Sequence, residues 1–170
     1  MDINELRALQ APLKDRYRAE PQAAVVTLRA SGALDSAAVA CKVETGRALS
    51  VAGLHPATGG SGAELCSGDM LLEALVACAG VTLKAVATSI GVPLRGGRVL
   101  AEGDLDFRGT LGVAREAPVG FTDIRLLFEL DSDAPQEQLE TLLRLTERYC
   151  VVLQTLRRAP PIQATLVRTL

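Results

Sequence analysis

Five side chains in this sequence are of the types that build redox, metal or nucleophilic sites: Cys41, His55, Cys66, Cys78 and Cys150. A zinc site needs four ligands, and cysteines usually supply them as closely spaced pairs. The four cysteines form no CxxC or CxxxC pair, and His55 is the sole histidine. A Ser-His-Asp site would have to use His55, and no GxSxG elbow is present. The run Gly59-Gly60-Ser61-Gly62 lacks the Lys-Ser/Thr that completes a phosphate-binding loop. His55 precedes a proline in a turn-rich loop and reads as a surface histidine. No metal or cofactor is therefore expected, and thiol chemistry remains. Cys78 and Cys150 are the candidate site residues, because each falls on the inward face of a long helix. A buried cysteine is often only a small hydrophobe, so two of them on one core suggest redox work without establishing it.

The helix that must position Cys78 runs from Asp69 to Ile90. At roughly 100° per residue it is apolar on almost its whole circumference, with Glu73, Lys84 and Thr88 as its polar stripe. Such a helix belongs in a core or an interface, and a homodimer is expected because one chain of 170 residues does not readily cover it. Glu73 and Lys84 interrupt the apolar run that a membrane span requires, so no membrane partner is expected. Ser67 is the predicted N-cap, Asp69 suits the positive end of the dipole, and Gly91 and Pro93 end the helix. Small residues around Cys78 (Ala74, Ala77, Ala79, Gly80) allow neighbouring elements to approach closely.

The second helix starts at Asp133 and Pro135, with Leu139, Leu142, Leu143, Thr146, Cys150 and Leu153 on one stripe. Cys150 therefore faces the same core as the leucines, whether or not the helix breaks at Tyr149. Between the two helices, Arg98–Arg108 and Asp123–Leu130 alternate as half-exposed antiparallel strands whose charges form a solvated face. Upstream, three β-like runs form a meander. Residues 25–29 lead to a turn at SGALDS, Ala38–Glu44 lead to a turn at Thr45-Gly46, and Ala48–Ala52 follow. Cys41 sits in the second run and Cys66 just before the central helix; both are expected to be dispensable. Ile162–Leu170 is expected to add a last strand.

The domain organisation read from these patterns is an N-terminal helical arm over 1–22 and a single domain over 23–170. The arm opens with Asp2 and Glu5 as a capping box, turns Ile3, Leu6 and Leu9 inward, and is expected to end or restart at Pro12. A hydrophobic content of 48% and a mean hydropathy of +0.23 exclude a disordered chain. With five aromatic residues, Leu, Val and Ala must fill the core. A net charge of −2 with no basic cluster gives no footprint for nucleic acid. The charged start MDINELRALQ shows no export signal, so a cytoplasmic protein with reduced thiols is expected.

The order of these parts resembles the OsmC/Ohr family over about residues 23 to 168. The resemblance rests on a strand meander, a GG-containing loop, LLEALVAC around Cys78, DFRGTLG…VGF, and LTERYCVV around Cys150. It implies an α+β fold with antiparallel sheets wrapped around long central helices in an interlocked dimer, and two sites at the interface. It implies thiol-dependent reduction of organic hydroperoxides, with Cys78 matching the peroxidatic cysteine and Cys150 the resolving one. An external dithiol, such as a lipoylated protein, would be the reductant. Family peroxidases hold the first thiolate with an arginine that a glutamate holds in turn. Here the glutamate region reads Ser67-Gly68-Asp69, Arg29 and Arg47 flank the arginine's place, and Val151 replaces a common proline. These departures place the chain among divergent members. Two other readings are a dimeric small-molecule binding protein of the same fold and a general dithiol–disulfide oxidoreductase.

Overall fold

The computed structural model describes residues 2–20, 31–34, 40–44, 49–112 and 114–168. Helix α1 (Ile3–Ala19) opens with the expected reciprocal cap. Asp2 Oδ1 accepts from the Asn4 and Glu5 amides at 2.7 and 2.8 Å, and Glu5 Oε2 accepts from the Asp2 amide at 2.7 Å. Those bonds satisfy donors that a first turn leaves unpaired. Contrary to expectation, Pro12 lies inside α1 and does not end it. An interior proline costs roughly 3 kcal/mol, and α1, which continues through Pro12, packs against the central helix.

Strands β1 (Ser31–Leu34), β2 (Ala40–Glu44), β3 (Leu49–Gly53) and β4 (Leu65–Cys66) form one sheet in that order. The first two pairings are antiparallel and β3–β4 is parallel. Ser31-Gly32-Ala33-Leu34 is thus a strand where a turn was expected, paired so that Leu34 lies opposite Cys41. Ladder pairing uses backbone groups, so a short run of small residues can join it without a strong β pattern. The run at 25–29 and the turn at Thr45-Gly46 lie outside the described residues.

The central helix, α2 (Ser67–Ile90), ends as expected at Gly91, whose φ of 73° lets its N–H reach the Ala87 carbonyl. Its N-cap is Cys66, not Ser67, and no side chain caps it. The parallel pairing of Cys66 with Gly53 holds Cys66 extended, and the helix starts at Ser67, one residue earlier than expected. Leu75, Ala79, Leu83 and Ala87 form its buried face. The other apolar face is open, with Val81 73% exposed. By length and apolarity α2 is the one described helix that could cross a membrane. Here it lies against β5, α4 and α5 as the central element of an α+β fold.

Strands β5 (Gly96–Leu105) and β6 (Phe121–Asp131) pair antiparallel and pack on α2 through β5. Val99, Ala101, Ile124, Leu126 and Phe128 turn inward, against α2 and α5. The outward face is the expected solvated lattice: Arg125 bridges Asp104 and Asp123 at 2.5 and 2.7 Å, and Arg98 pairs with Glu129. Strand β5 stops short of Arg108 because Asp106 caps a short helix, α3 (Phe107–Thr110), by accepting from the Arg108 amide at 3.1 Å. Gly103 is required by a close approach: a Cβ there would lie 2.5 Å from the Phe121 ring.

Helix α4 (Gln136–Tyr149) and helix α5 (Val151–Arg157) meet at Cys150. Leu142, Thr146 and Cys150 are fully buried. Leu143, expected on the same stripe, is 42% exposed, because it faces the cleft beside β6. No strand forms at 162–168; Ile162 and Leu166 are exposed, and neither described sheet pairs with this tail.

Candidate functional site: a thiol pair at a helix break

Cys78 sits on α2 between the buried Leu75 and Ala79 and the open apolar face, half-buried. Cys150 ends α4: its amide reaches the Thr146 carbonyl at 2.9 Å, and its own carbonyl accepts from Gln154 at 2.9 Å to start α5. With φ −71° and ψ 108°, Cys150 leaves the helical path for one residue and turns the first amides of α5 toward α2. The structure therefore brings Cys78 and Cys150 into contact. Both are free thiols.

Burial pushes the Cys78 thiol upward, but hydrogen bonds outweigh it and its pKa lies below the ordinary thiol value. The donors, in order of effect, are the Val152 amide, the Cys150 thiol, the Val151 amide and the Thr82 hydroxyl. Donation to a charged sulfur favours the thiolate. Cys150 moves the opposite way: burial raises it, the Leu153 and Val152 amides only partly oppose, and the Cys78 sulfur raises it further. Such a pair can hold one sulfur as nucleophile and the other as proton donor, and can close to a disulfide.

The donors were only partly visible in the sequence. Thr82 lies one helical turn from Cys78, whereas Val151 and Val152 act through backbone amides, which no residue type announces. Among the described residues no guanidinium or ammonium contributes to the Cys78 shift. Asp69, the expected partner of an activating arginine, is nine residues along α2 from Cys78, about 13 Å of rise. It lines a different cleft, of about 310 Å³, with His55, Cys66 and Phe107. Arg29 and Arg47 lie outside the described residues.

The remaining candidates separate from the thiol pair. Cys66 is a half-buried free thiol in that second cleft. His55 has a structural role: its Nδ1 accepts from the Ala57 amide at 3.0 Å and its ring stacks on Phe107 with centroids 4.9 Å apart. Cys41 lies in β2, opposite Leu34 and Ala52.

A long apolar helix backed by small sheets, with two thiols meeting at a helix break, defines an α+β thiol-pair protein. The chain belongs to the OsmC-like protein family, whose sequence profile matches residues 60–165 and so includes both thiols. Among solved structures, an OsmC-like protein from Mycoplasma pneumoniae superposes with a TM-score of 0.65 at 15% identity, covering 79% of this chain and 89% of that one. An organic hydroperoxide resistance protein OsmC from Legionella pneumophila gives 0.61 at 16%, covering 79% and 92%. An organic hydroperoxide resistance protein from Elizabethkingia anophelis gives 0.62 at 14%, covering 79% and 91%. At these identities the likeness is one of fold. No curated protein matches this chain by sequence.

Proposed function

We propose that this protein is a thiol-dependent peroxidase that reduces organic hydroperoxides, with Cys78 as the attacking thiol and Cys150 as the resolving one. The observation that carries the reading is the packing of Cys78 against the buried Cys150 at the point where α4 ends and α5 begins. The names of the Legionella and Elizabethkingia structures point to the same substrate class. The Cys78 thiolate attacks the distal peroxide oxygen, the O–O bond breaks, and Cys78 becomes a sulfenic acid. The departing alkoxide takes the Cys150 proton and leaves as the alcohol. The Cys150 thiolate then attacks the Cys78 sulfur and expels hydroxide, closing a disulfide. An external dithiol, such as a lipoylated protein, reduces that disulfide and is itself oxidised.

Three wider statements belong to this proposal. The working unit is an interlocked homodimer: of the most apolar 18-residue window of α2 only 22% is buried within one chain. The exposed Ile162, Leu166 and Val167 of the tail add further apolar surface for a second chain to cover. The chain divides into an arm over 1–22 and one domain over 23–170. The setting is the reducing cytoplasm, in keeping with free Cys66, Cys78 and Cys150.

A second reading has its own support. Among the described residues every lowering influence on Cys78 is a hydrogen bond and none is a cation, which favours a dimeric small-molecule binding protein of this fold. Turnover of cumene or tert-butyl hydroperoxide with a dithiol separates the two. Sustained turnover is the expected result; tight binding of an apolar ligand without turnover would favour the second reading.

A further inference from the structure

Where α4 passes into α5, the bonds across the joint are not those of a continuous helix. The Cys150 amide still reaches the Thr146 carbonyl, and the Cys150 carbonyl accepts from the Gln154 amide, both at 2.9 Å. With ψ at 108°, Cys150 turns the next amides away from the last turn of α4. A regular helix would satisfy the Glu147 carbonyl with the Val151 amide. Here the side chain of Gln154 takes that place, its Nε2 donating to the Glu147 carbonyl at 2.7 Å. The bond is partly buried and spans seven residues.

Glu147 is tied to α5 a second time, through its carboxylate, which pairs with Arg157 at 2.9 Å. Both partners of that pair are about half exposed, so it contributes little by itself. Between these ties Cys150 is fully buried, packed with Leu75, Ala79 and Cys78. Gln154 therefore limits how far α5 can swing about the one residue that must meet Cys78.

We propose that Gln154 is a positioning residue for disulfide closure, which ties α5 to the Glu147 carbonyl and so holds Cys150 against Cys78. A sulfur already held in place loses little freedom when the disulfide forms, and a loosened joint disfavours closure. This role rests on the peroxidase reading for its place in the cycle, whereas closure itself can be measured without peroxide. Oxidised dithiothreitol takes two electrons and two protons from the thiol pair, which becomes a disulfide as the reagent opens to its dithiol.

The test uses Gln154→Met, which keeps the length of the side chain and removes its donor. Peptide mass spectrometry measures the fraction of Cys78–Cys150 disulfide at set ratios of oxidised to reduced dithiothreitol. Gln154→Met should lower the equilibrium constant for closure about fivefold, the effect of one ordinary hydrogen bond. After one equivalent of cumene hydroperoxide it should slow disulfide formation by a similar factor. The Cys78 thiol should still be lost at the wild-type rate, so dimedone labels more Cys78. Thr155→Ala, at an exposed position of α5, should match wild type in both measurements. Gln154→Glu, of nearly unchanged shape and ionised at neutral pH, should show the same loss and serves if Gln154→Met fails to fold. Unchanged closure in these variants, equal slowing of Cys78 oxidation and of closure, or no wild-type closure in oxidised dithiothreitol would overturn the role of Gln154. Absence of cumene hydroperoxide turnover in the wild type would instead remove the peroxidase reading, and the dithiothreitol equilibrium alone would then decide the role.

Discussion

Two thiols on one helix divide the molecule. Cys66 caps the start of α2 and Cys78 lies twelve residues further along it. Cys66 holds the position usually associated with thiol activation, a helix N-terminus. Yet its side chain makes no cap hydrogen bond, and the nearby His55 is already engaged by the Ala57 amide and the Phe107 ring. Cys78 is in the middle of α2, but it receives the first amides of another helix, α5, together with a second thiol. The difference teaches that position along a helix does not define a thiol's surroundings: Cys78 packs against a second thiol where α4 ends and α5 begins, whereas Cys66 lines a separate cleft.

The sharpest way to break this comparison is to exchange the sulfurs for oxygens. Cys78→Ser should reduce hydroperoxide turnover by about a thousandfold or more, as expected when a nucleophile is removed. If Cys66→Ser cost as much in a steady-state assay, the roles of the two thiols would be wrongly assigned. Cys150→Ser should also stop steady-state turnover while preserving one oxidation per chain. Dimedone labelling and mass spectrometry should then find sulfenic acid on Cys78, and Cys78→Ser should leave Cys150 unreacted.

A smaller effect sharpens the electrostatics. A lowered Cys78 pKa means more thiolate at a given pH, so its alkylation by iodoacetamide should level off at a lower pH than that of an ordinary thiol. Cys150→Ala removes one donor and should move that inflection upward; no movement would show that the thiol–thiol hydrogen bond contributes nothing. Smallest of all should be changes in the Cys66 cleft. Cys66→Ser should leave turnover within about twofold of wild type. Gly103→Ala, which forces a Cβ against Phe121, should cost about 1–3 kcal/mol in chemical denaturation without altering the Cys78 inflection.

Much of this arrangement was legible in the residues. The apolar circumference of α2, the Gly91 stop and the Leu142–Thr146–Cys150 stripe located both thiol-bearing elements, because burial imposes helical periodicity. Side-chain alternation likewise located β5 and β6. The start of α2 was misread because a two-residue parallel pairing, which leaves no sequence pattern, set Cys66 as its cap. Ser31–Leu34 was misread because turn-prone residues can still supply ladder amides. Leu143 kept the helical spacing of its neighbours but met a cleft. The activating donors were the least legible part. Val151 and Val152 offer only apolar side chains, and their amides matter because the backbone departs from the helix at Cys150.

The central claim is that Cys78 and Cys150 form one redox unit. It is tested most directly by mapping disulfides in the wild-type protein after one equivalent of cumene hydroperoxide, by non-reducing peptide mass spectrometry. The account predicts a single Cys78–Cys150 disulfide within each chain, with Cys66 still free and full reversal by a dithiol. A disulfide involving Cys41 or Cys66, a link between chains, or over-oxidised Cys78 beside an untouched Cys150 would contradict it.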